Sequence, residues 1–235
     1  MAACGTGNHT TYTVKYKNAK IIGIDLSLKS LSYAKRKSKE LGFENVEFIQ
    51  ADILQLKNLN KKFDIIESIG TLHHMKKPQD GLDVLVDILK PHGFLKLGLY
   101  SEKARDYVIK AREIIKEKNF NTSVEDIRKC REVIFDNEDD FIIKKLVNRG
   151  DFYSTSNVRD LLFHVQEHRF TIPQISKMLK KFNLEFLGFI NSSNKNRFLK
   201  FFSQSDITSL EKWDKFENDN PSSFMGMYQF WVRKK

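Results

Sequence analysis

Residues 1–10 read MAACGTGNHT, and this stretch decides the fold because it places a glycine-rich turn directly after a very short apolar segment. Gly5 and Gly7 carry no Cβ, so a turn built on them lets the backbone approach a ligand closely. In an open parallel sheet, ligands bind beyond the carboxyl ends of the strands. We therefore predict that residues 1–4 form a truncated first strand and that the turn lies at the binding edge of a sheet.

Beyond this turn, the first hundred residues alternate short apolar runs with amphipathic stretches. Short apolar runs predict buried strands, whereas apolar residues at helical spacing predict helices. Strands that alternate with helices favour a parallel sheet with right-handed crossovers. The predicted strands are residues 20–25, 45–52, 62–68 and 94–100, and the predicted helices run from the N-cap Ser27 to Gly42 and from Pro78 to the closing Pro91 and Gly93.

Residues 101–170 differ, because their apolar residues follow helical spacing and predict no strand. The alternating pattern returns at Thr171, which predicts a capping box together with Gln174. Two further strands are predicted at residues 184–190 and 226–234, with helix between them. The complete pattern predicts an α/β sheet of seven strands with a helical insertion after the fifth.

The composition is that of a globular protein without a disulfide framework. The 235 residues include 40 Lys or Arg and 30 Asp or Glu, a net charge of +10. The basic residues are spread along the chain, so the charge is only a weak sign of a nucleic-acid partner. Cys4 and Cys130 show neither metal spacing nor a disulfide pattern. No apolar run is long enough to span a bilayer and residues 1–15 lack the features of a signal peptide, so we expect a cytoplasmic protein.

Two aspartates end predicted strands at the same edge of the sheet as the glycine turn. Asp25 closes one strand and Asp52 closes the next. A carboxylate there can accept hydrogen bonds from both hydroxyls of a ribose, and Asp52 or the neighbouring Ile53 amide can meet an adenine edge. The three strand ends together predict a nucleoside pocket, although Asp25 taken singly also fits the role of a helix N-terminal acid.

A dinucleotide is the less favoured ligand, because Thr10 stands where the pyrophosphate fingerprint needs a third glycine. The chain instead resembles the class I S-adenosylmethionine-dependent methyltransferases over residues 2 to about 101. The segments that carry the resemblance read ACGTGNHT, IGIDLS, VEFIQADIL, FDIIESIGTLHHM and LKPHGFLKLGLYS, in the family's order and spacing. The resemblance implies a Rossmann-like sheet, mostly parallel with an antiparallel last strand, and S-adenosylmethionine as cofactor.

The resemblance also implies roles for the residues at the strand ends. Gly5 and Gly7 would lie under the methionine part of the cofactor, and Asp25 would bind its ribose. Asp52 with Ile53 would bind the adenine. Glu67 and Ser68 would lie near the sulfonium and face the acceptor. The complete implied cofactor-binding set is Gly5, Thr6, Gly7, Asp25, Leu26, Asp52, Ile53, Glu67 and Ser68, and no metal is implied.

The beginning of the chain departs from the family's pattern, because four residues stand in place of a first strand of the usual five or six. We therefore expect the chain to be a fragment of a longer protein whose upstream part completes the fold. Residues 151–175 and the segment GMYQFWV (226–232) are similar to a bacterial branch in which this domain often follows tetratricopeptide repeats. That similarity implies such repeats upstream.

Methyl transfer from a sulfonium is an in-line displacement, so the protein must chiefly align donor and acceptor and exclude water. A general base is needed only where the acceptor must lose a proton. His73 and His74 follow the predicted strand at residues 62–68 and are candidates for that base. Either of them also fits simple packing against the next helix.

The segment HVQEHR supplies the other candidates on the acceptor side. It places His164 and His168 four residues apart, on one face of a predicted helix with Glu167 beside them. We therefore add His164 and Glu167 to the tentative catalytic set, while an ordinary polar network at a helix end fits the same pattern. A metal site is not predicted, because no third ligand is apparent.

The function that these residues favour is methyl transfer to a small molecule or a protein side chain. One alternative is an incomplete, inactive cofactor fold that serves binding or scaffolding, and another is an RNA methyltransferase, which only the charge suggests. We predict one domain, residues 1–235, consisting of a cofactor-binding half (1–100), the helical insertion that selects the acceptor (101–170) and the C-terminal strands and helices (171–235).

Overall fold

The computed structural model describes residues 1–7 and 18–235, so Thr10 lies outside the described residues. The strands in this part of the chain are β1 (Ile21–Asp25), β2 (Val46–Gln50), β3 (Phe63–Ile69), β4 (Leu89–Leu99), β5 (Leu184–Phe189) and β6 (Tyr228–Lys234). The helices are α1 (Leu28–Glu40), α2 (Pro78–Ile88), α3 (Asp106–Glu117), α4 (Val124–Asp136), α5 (Phe141–Val147), α6 (Thr155–Leu162), α7 (Ile172–Lys181), α8 (Ser192–Phe198) and α9 (Leu210–Asp219).

The strands form two sheets, and this overturns the prediction of a single seven-stranded sheet. One sheet pairs β1 with β2 in parallel, and the other has the order β3-β4-β6-β5. Strands β3 and β4 are parallel, whereas β6 runs antiparallel to both of its neighbours. The predictions of an α/β fold and of an antiparallel last strand are therefore confirmed.

Residues 1–4 lie between the two sheets and join them. The Ala2 amide donates to the Glu67 carbonyl of β3 at 2.8 Å, while Cys4 donates to the Ile24 carbonyl of β1 at 2.8 Å. Ala2 and Ile24 form only an isolated parallel bridge. The sheet divides here because four residues offer too few backbone groups for a regular ladder on both sides. The segment thus occupies the place of the predicted first strand without completing it.

A cavity of about 770 Å³ opens beside Met1, at the amino ends of β1 and β3. Its apolar lining includes Ile21, Phe63 and Ile65, and 54% of the Ile65 surface is exposed. The Met1 amino group, at the border of this cavity, donates to the Ile22 carbonyl of β1 at 2.8 Å. The cavity lies away from the carboxyl edge where a ligand is predicted.

The predicted helix from Pro78 to Gly93 ends early, and its last residues belong to a strand. Helix α2 ends at Ile88, and Leu89 pairs with Phe63 of β3 as the first residue of β4. The Leu89 amide donates to the Leu85 and Val86 carbonyls as the C-cap of the helix, and its φ and ψ of −78° and 133° are those of a strand, so the helix stops before Pro91. The N-cap Ser27 and the Thr171–Gln174 capping box are confirmed.

The segment HVQEHR is not helical, so the prediction that His164 and His168 share a helical face is wrong. Helix α6 ends at Leu162, and the following residues run along the edge of the sheet. The His168 amide donates to the His73 carbonyl at 2.7 Å, and the Phe170 amide donates to the Tyr100 carbonyl at 2.9 Å. These contacts across the fold replace the hydrogen bonds of a helix.

The apolar side chains are buried in two separate clusters. One lies between the four-stranded sheet and its flanking helices and contains Trp213, Phe216 and Phe230. The other lies inside the helices of residues 101–170. Its members include Tyr107, Phe152, Ile127, Ile134, Ile143, Leu146 and Val158. The helical insertion therefore carries its own core, which makes it a rigid support for side chains at the sheet edge.

Candidate active site

The glycine turn and the two aspartates come together at the carboxyl edge. The Gly5 amide donates to Asp25 Oδ2 at 2.8 Å, and the Ser27 amide donates to Asp25 Oδ1 at 2.9 Å. The Ala51 amide, next to Asp52, donates to the Asp25 carbonyl at 3.2 Å. Three strand ends that are far apart in sequence therefore border one region.

The turn has the conformation and the space that a bound ligand needs. Gly5 and Gly7 have φ angles of 53° and 83°, in the left-handed region that favours glycine. A Cβ placed on Gly5 would meet no described atom within 4 Å. Each oxygen of Asp25 has a second acceptor site beyond the amide it already binds. Leu26, the next residue in the chain, has 67% of its surface exposed.

Asp52 and Ile53 have local structural roles besides the predicted one. Asp52 lies two residues beyond β2 and caps a short 3₁₀ helix, because its Oδ1 accepts the Leu54 amide at 2.9 Å. The Ile53 side chain is buried. The bond from the Ala51 amide holds this segment close to the end of β1, and adenine binding by Asp52 and Ile53 stays a prediction.

Glu67 and Ser68 lie near the end of β3 and, as neighbours in a strand, point to opposite faces of the sheet. Ser68 Oγ is buried and has no hydrogen-bond partner among the described residues. The Glu67 carboxylate lies 3.9 Å from Lys96 Nζ on the other face. A buried hydroxyl without a partner is costly, so Ser68 marks a place where a bound group or water would be stabilising.

The predicted acceptor-side histidines form one aromatic cluster, which contains His73, His74, His164 and Tyr100. The His74 and His164 rings stack with centroids 3.8 Å apart, and the His73 and Tyr100 rings lie 3.8 Å apart. His73 meets His74 edge to face at 4.3 Å. Residues from three segments of the chain therefore meet directly beyond the end of β3.

His73 is fully buried, and this determines its charge. Burial, reinforced by the neighbouring His74 and Arg105, lowers the pKa of His73 to about 2. The Gly98 carbonyl opposes this shift, but neither ring nitrogen has hydrogen-bond geometry to a described residue. His73 is therefore a neutral packing residue against Tyr100 and does not present a nitrogen to an acceptor.

This burial predicts a pH dependence of stability. The unfolded chain binds a proton at His73 below about pH 6.5, whereas the folded chain does not, so stability should fall as the pH falls. Between pH 7 and pH 5 we expect His73 to lower the free energy of unfolding by about 2 kcal/mol. Urea denaturation at the two pH values measures the loss, and the variant His73→Phe should show a smaller loss by that amount. An equal loss in both proteins would contradict the assignment.

The backbone of Gln166 sets the tautomers of both stacked histidines. His74 Nδ1 lies 2.9 Å from the Gln166 carbonyl, which can only accept, so Nδ1 carries the proton. The Gln166 amide donates to His164 Nδ1 at 3.4 Å, so that nitrogen is unprotonated. Burial lowers the pKa of His74, which leaves its Nε2 without a proton at neutral pH. Among the described residues, none donates to His74 Nε2.

Glu167 forms ion pairs with two arginines, Arg105 and Arg112, which no sequence pattern marks. Arg105 binds it through two hydrogen bonds, of 3.0 Å and 2.7 Å, and Arg112 approaches the same carboxylate at 3.3 Å. The side chains of Arg105 and Glu167 are 2% and 0% exposed. The Arg105 guanidinium also lies 3.6 Å from the centre of the Tyr100 ring. Glu167 is thus placed to hold the cluster rather than to contact an acceptor.

A second buried network ties the start of the insertion to the sheet. The Glu217 carboxylate accepts hydrogen bonds from Ser101 Oγ at 2.8 Å and from the Tyr228 hydroxyl at 2.6 Å. Ser101 Oγ in turn accepts the Ala104 amide at 3.1 Å. Burial raises the pKa of Glu217. No periodic sequence signal marks Arg105 or Glu217, because their partners are distant in sequence.

The described ranges, 1–7 and 18–235, contain neither a candidate metal site nor a candidate membrane span. No group of three His, Cys, Asp or Glu side chains there is arranged to hold a metal ion. None of the helices in the same ranges combines the length and apolar character required to cross a membrane.

The sequence of this chain is similar to that of a known family and of several known proteins. The sequence model of a family described as methyltransferase domain matches residues 2–151. The uncharacterized protein syc1184_c of Synechococcus sp. is 26% identical over 232 residues, which cover 92% of this chain and 54% of that protein. The probable (S)-tetrahydroprotoberberine N-methyltransferase 2 of Papaver bracteatum is 36% identical over 77 residues, or 32% of this chain and 21% of that enzyme.

A solved structure shares the fold along the whole chain. PKMT2 from Rickettsia typhi, in complex with AdoHcy, superposes with a TM-score of 0.74 at 20% sequence identity. The alignment covers 100% of this chain and 48% of PKMT2. The chain thus spans about half the length of the relatives that it matches over most of its own length.

Proposed function

This chain belongs to the methyltransferase domain family, and from that premise we propose that it binds S-adenosylmethionine and transfers its methyl group to an acceptor. The bond from the Gly5 amide to Asp25 Oδ2, with Asp52 beside it, is the observation that carries the proposal. It places the backbone of the glycine turn next to a carboxylate at the carboxyl edge. This is the pairing that a nucleoside with an attached charged chain requires.

The residues at this edge fit the cofactor in three respects. No described atom lies within 4 Å of a Cβ placed on Gly5, so the methionine part of the cofactor fits against the backbone there. The remaining acceptor sites of Asp25 suit the two ribose hydroxyls. Leu26 and the Asp52–Ile53 segment suit the adenine. When bound, S-adenosylmethionine supplies an electrophilic methyl group on a positively charged sulfur. The fold shared with PKMT2, whose structure holds AdoHcy, supports this choice of cofactor.

The acceptor is proposed to enter between the end of β3 and the helical insertion. The histidine cluster lies there, directly beyond the strand whose Glu67 carbonyl binds Ala2. The insertion supplies His164, Arg105 and Glu167 to this region, so residues 101–170 are proposed to select the acceptor. A small molecule or a protein side chain fits equally, and the link to tetratricopeptide-repeat proteins stays a prediction.

Isothermal titration with S-adenosylmethionine tests the proposal. We expect saturable binding with a Kd between about 1 μM and 1 mM, the range of ordinary enzyme substrates. S-adenosylhomocysteine should compete, whereas NADH should release no heat of binding, because Thr10 replaces the glycine that a dinucleotide needs. The absence of a heat of binding with S-adenosylmethionine at high protein concentration would refute the proposed enzymatic function of this chain. Binding without transfer to any acceptor would favour the alternative of a binding module.

A further inference from the structure

We propose that the cavity beside Met1 binds the extended carboxyl-terminal tail of a partner polypeptide, which adds a short strand between β1 and β3. The cavity is lined by residues 18–22, which lead into β1, and by residues 61–65, which lead into β3. At about 3.3 Å per residue, this length accommodates a tail of about four residues. The site lies at the amino ends of the two strands, so its occupation is independent of the methyl transfer proposed above.

The space between β1 and β3 is one strand wide. The Ala2 amide donates to the Glu67 carbonyl of β3 at 2.8 Å, and the Met1 amino group donates to the Ile22 carbonyl of β1 at 2.8 Å. A segment paired on both sides holds its neighbours two strand spacings apart, about 9–10 Å between backbones. A helix, with a diameter of about 10–12 Å, does not fit in this width, whereas one extended chain does.

Both strands present backbone groups to this space. In a strand, residues two apart direct their N–H and C=O groups to the same side. Ile22 therefore directs its N–H toward the space together with the carbonyl that binds Met1, and Ile65 faces the space because Glu67 does. Strands β1 and β3 are the edge strands of their sheets on this side. The backbone of an edge strand is a template for pairing with another chain.

Apolar cavities flank this space on both faces of the sheet. The cavity of about 770 Å³ is lined by Trp231 and by Ile65, which is 54% exposed. A smaller cavity of about 30 Å³ is lined by Leu56 and Ile88, and Ile22 and Ile65 border both cavities. An added strand points successive side chains to opposite faces. The tail is therefore expected to be apolar at successive positions, as buried parallel strands are.

The charges around the cavity predict the charge and direction of the tail. Lys20 and Lys61 line it, are exposed and form no ion pair within residues 1–7 and 18–235. Asp64, the acid beside them, is already paired with Lys90. A tail parallel to β1, the direction in which residues 1–4 run, places an acidic first residue beside the two lysines. Its terminal carboxylate then lies beside the Met1 amino group.

An apolar small molecule is the less favoured occupant of this space. It would fill the cavities but would leave the N–H groups of Ile22 and Ile65 buried without an acceptor, which is costly. An extended peptide buries the same apolar surface and also supplies a carbonyl to each N–H. This combination of backbone pairing and side-chain cavities is the one that strand addition uses.

A synthetic peptide and a matched control test the proposal. The probe is acetyl-Glu-Val-Ile-Val with a free carboxylate, and the control differs only by an N-methyl group on the isoleucine amide. A strand paired on both sides uses each central amide as a donor. The control therefore loses one hydrogen bond to the protein but keeps its charge and its apolar surface. Isothermal titration measures both affinities, and amide hydrogen exchange followed by NMR locates the bound probe.

We expect saturable binding of the probe and an affinity about tenfold lower, or less, for the N-methylated control. At a probe concentration ten times its Kd, amide exchange should slow about tenfold at Ile22 and Ile65. Exchange at Ile127, in the core of the helical insertion, should stay unchanged.

A charge reversal tests the expected direction of the tail. Lys61→Glu should weaken binding of the probe about two- to fivefold at low salt, and the difference should shrink in 0.5 M NaCl because the charges are exposed. Lys118→Glu makes the same change at an exposed lysine of the helical insertion, outside the cavity lining, and should retain the wild-type affinity.

Four results would overturn the proposal. Absence of probe binding would remove the site, and equal affinity of the probe and the N-methylated control would show an apolar cavity without strand pairing. Unchanged exchange at both Ile22 and Ile65 would place the peptide elsewhere. Sedimentation of the free protein as a dimer that the probe does not dissociate would assign the space to a second copy of the chain.

Discussion

Replacement of Glu167 by glutamine is expected to lower the free energy of unfolding by about 3–5 kcal/mol. The carboxylate is the partner of both Arg105 and Arg112, and the side chains of Arg105 and Glu167 are almost fully buried. Glutamine keeps the shape but removes the charge, which leaves a buried guanidinium without compensation. Urea denaturation followed by circular dichroism measures the loss.

Two further variants show whether buried charge is the cause. Glu185 and Arg233 also form an ion pair, but their side chains are 38% and 45% exposed, so Glu185→Gln should lower the free energy of unfolding by less than about 1 kcal/mol. The double variant Arg105→Met with Glu167→Leu removes both charges and should be more stable than Glu167→Gln. If Glu167→Gln cost no more than Glu185→Gln, the claim that this pair holds the insertion on the sheet would be wrong.

The second large effect is expected for cofactor binding by Asp25→Ala. In the proposed complex the carboxylate accepts both ribose hydroxyls, and hydrogen bonds to a charged group are worth about 1.5–3 kcal/mol each. We therefore expect the Kd for S-adenosylmethionine to rise about 100-fold or more. The loss of folding stability should be small, because Asp25 is half-buried and water can reach the Gly5 and Ser27 amides that it binds.

Asp64→Ala is the matched control for this change. Asp64 lies on β3, has 80% of its side chain exposed and pairs with Lys90 at the opposite end of the strand. Isothermal titration should show wild-type affinity for this variant. Unchanged affinity in Asp25→Ala, with the protein folded, would refute ribose binding by Asp25, whereas an equal loss in both variants would point to a general effect of charge.

The meeting of Gly5 and Asp25 at the carboxyl edge was largely predictable, because its signals are local. Asp25 ends an apolar run, Ser27 follows it as an N-cap, and a glycine turn needs no distant partner to be recognised. The acceptor side was predictable only in part. The predicted residues do lie close together, namely His73, His74, His164 and Glu167, but the last two are in a non-helical segment. Glu167 forms ion pairs with Arg105 and Arg112.

The sequence by itself determined the α/β class, the strand ends that carry Gly5, Asp25 and Asp52, and membership of the methyltransferase domain family. These features follow from periodicity and from residue types at neighbouring positions. The tertiary structure alone decided that the sheet divides beside residues 1–4, that Gln166 sets the tautomer of His74, and that Arg105 needs Glu167. Each of those depends on a hydrogen bond or ion pair between residues far apart in the chain, which periodicity does not encode.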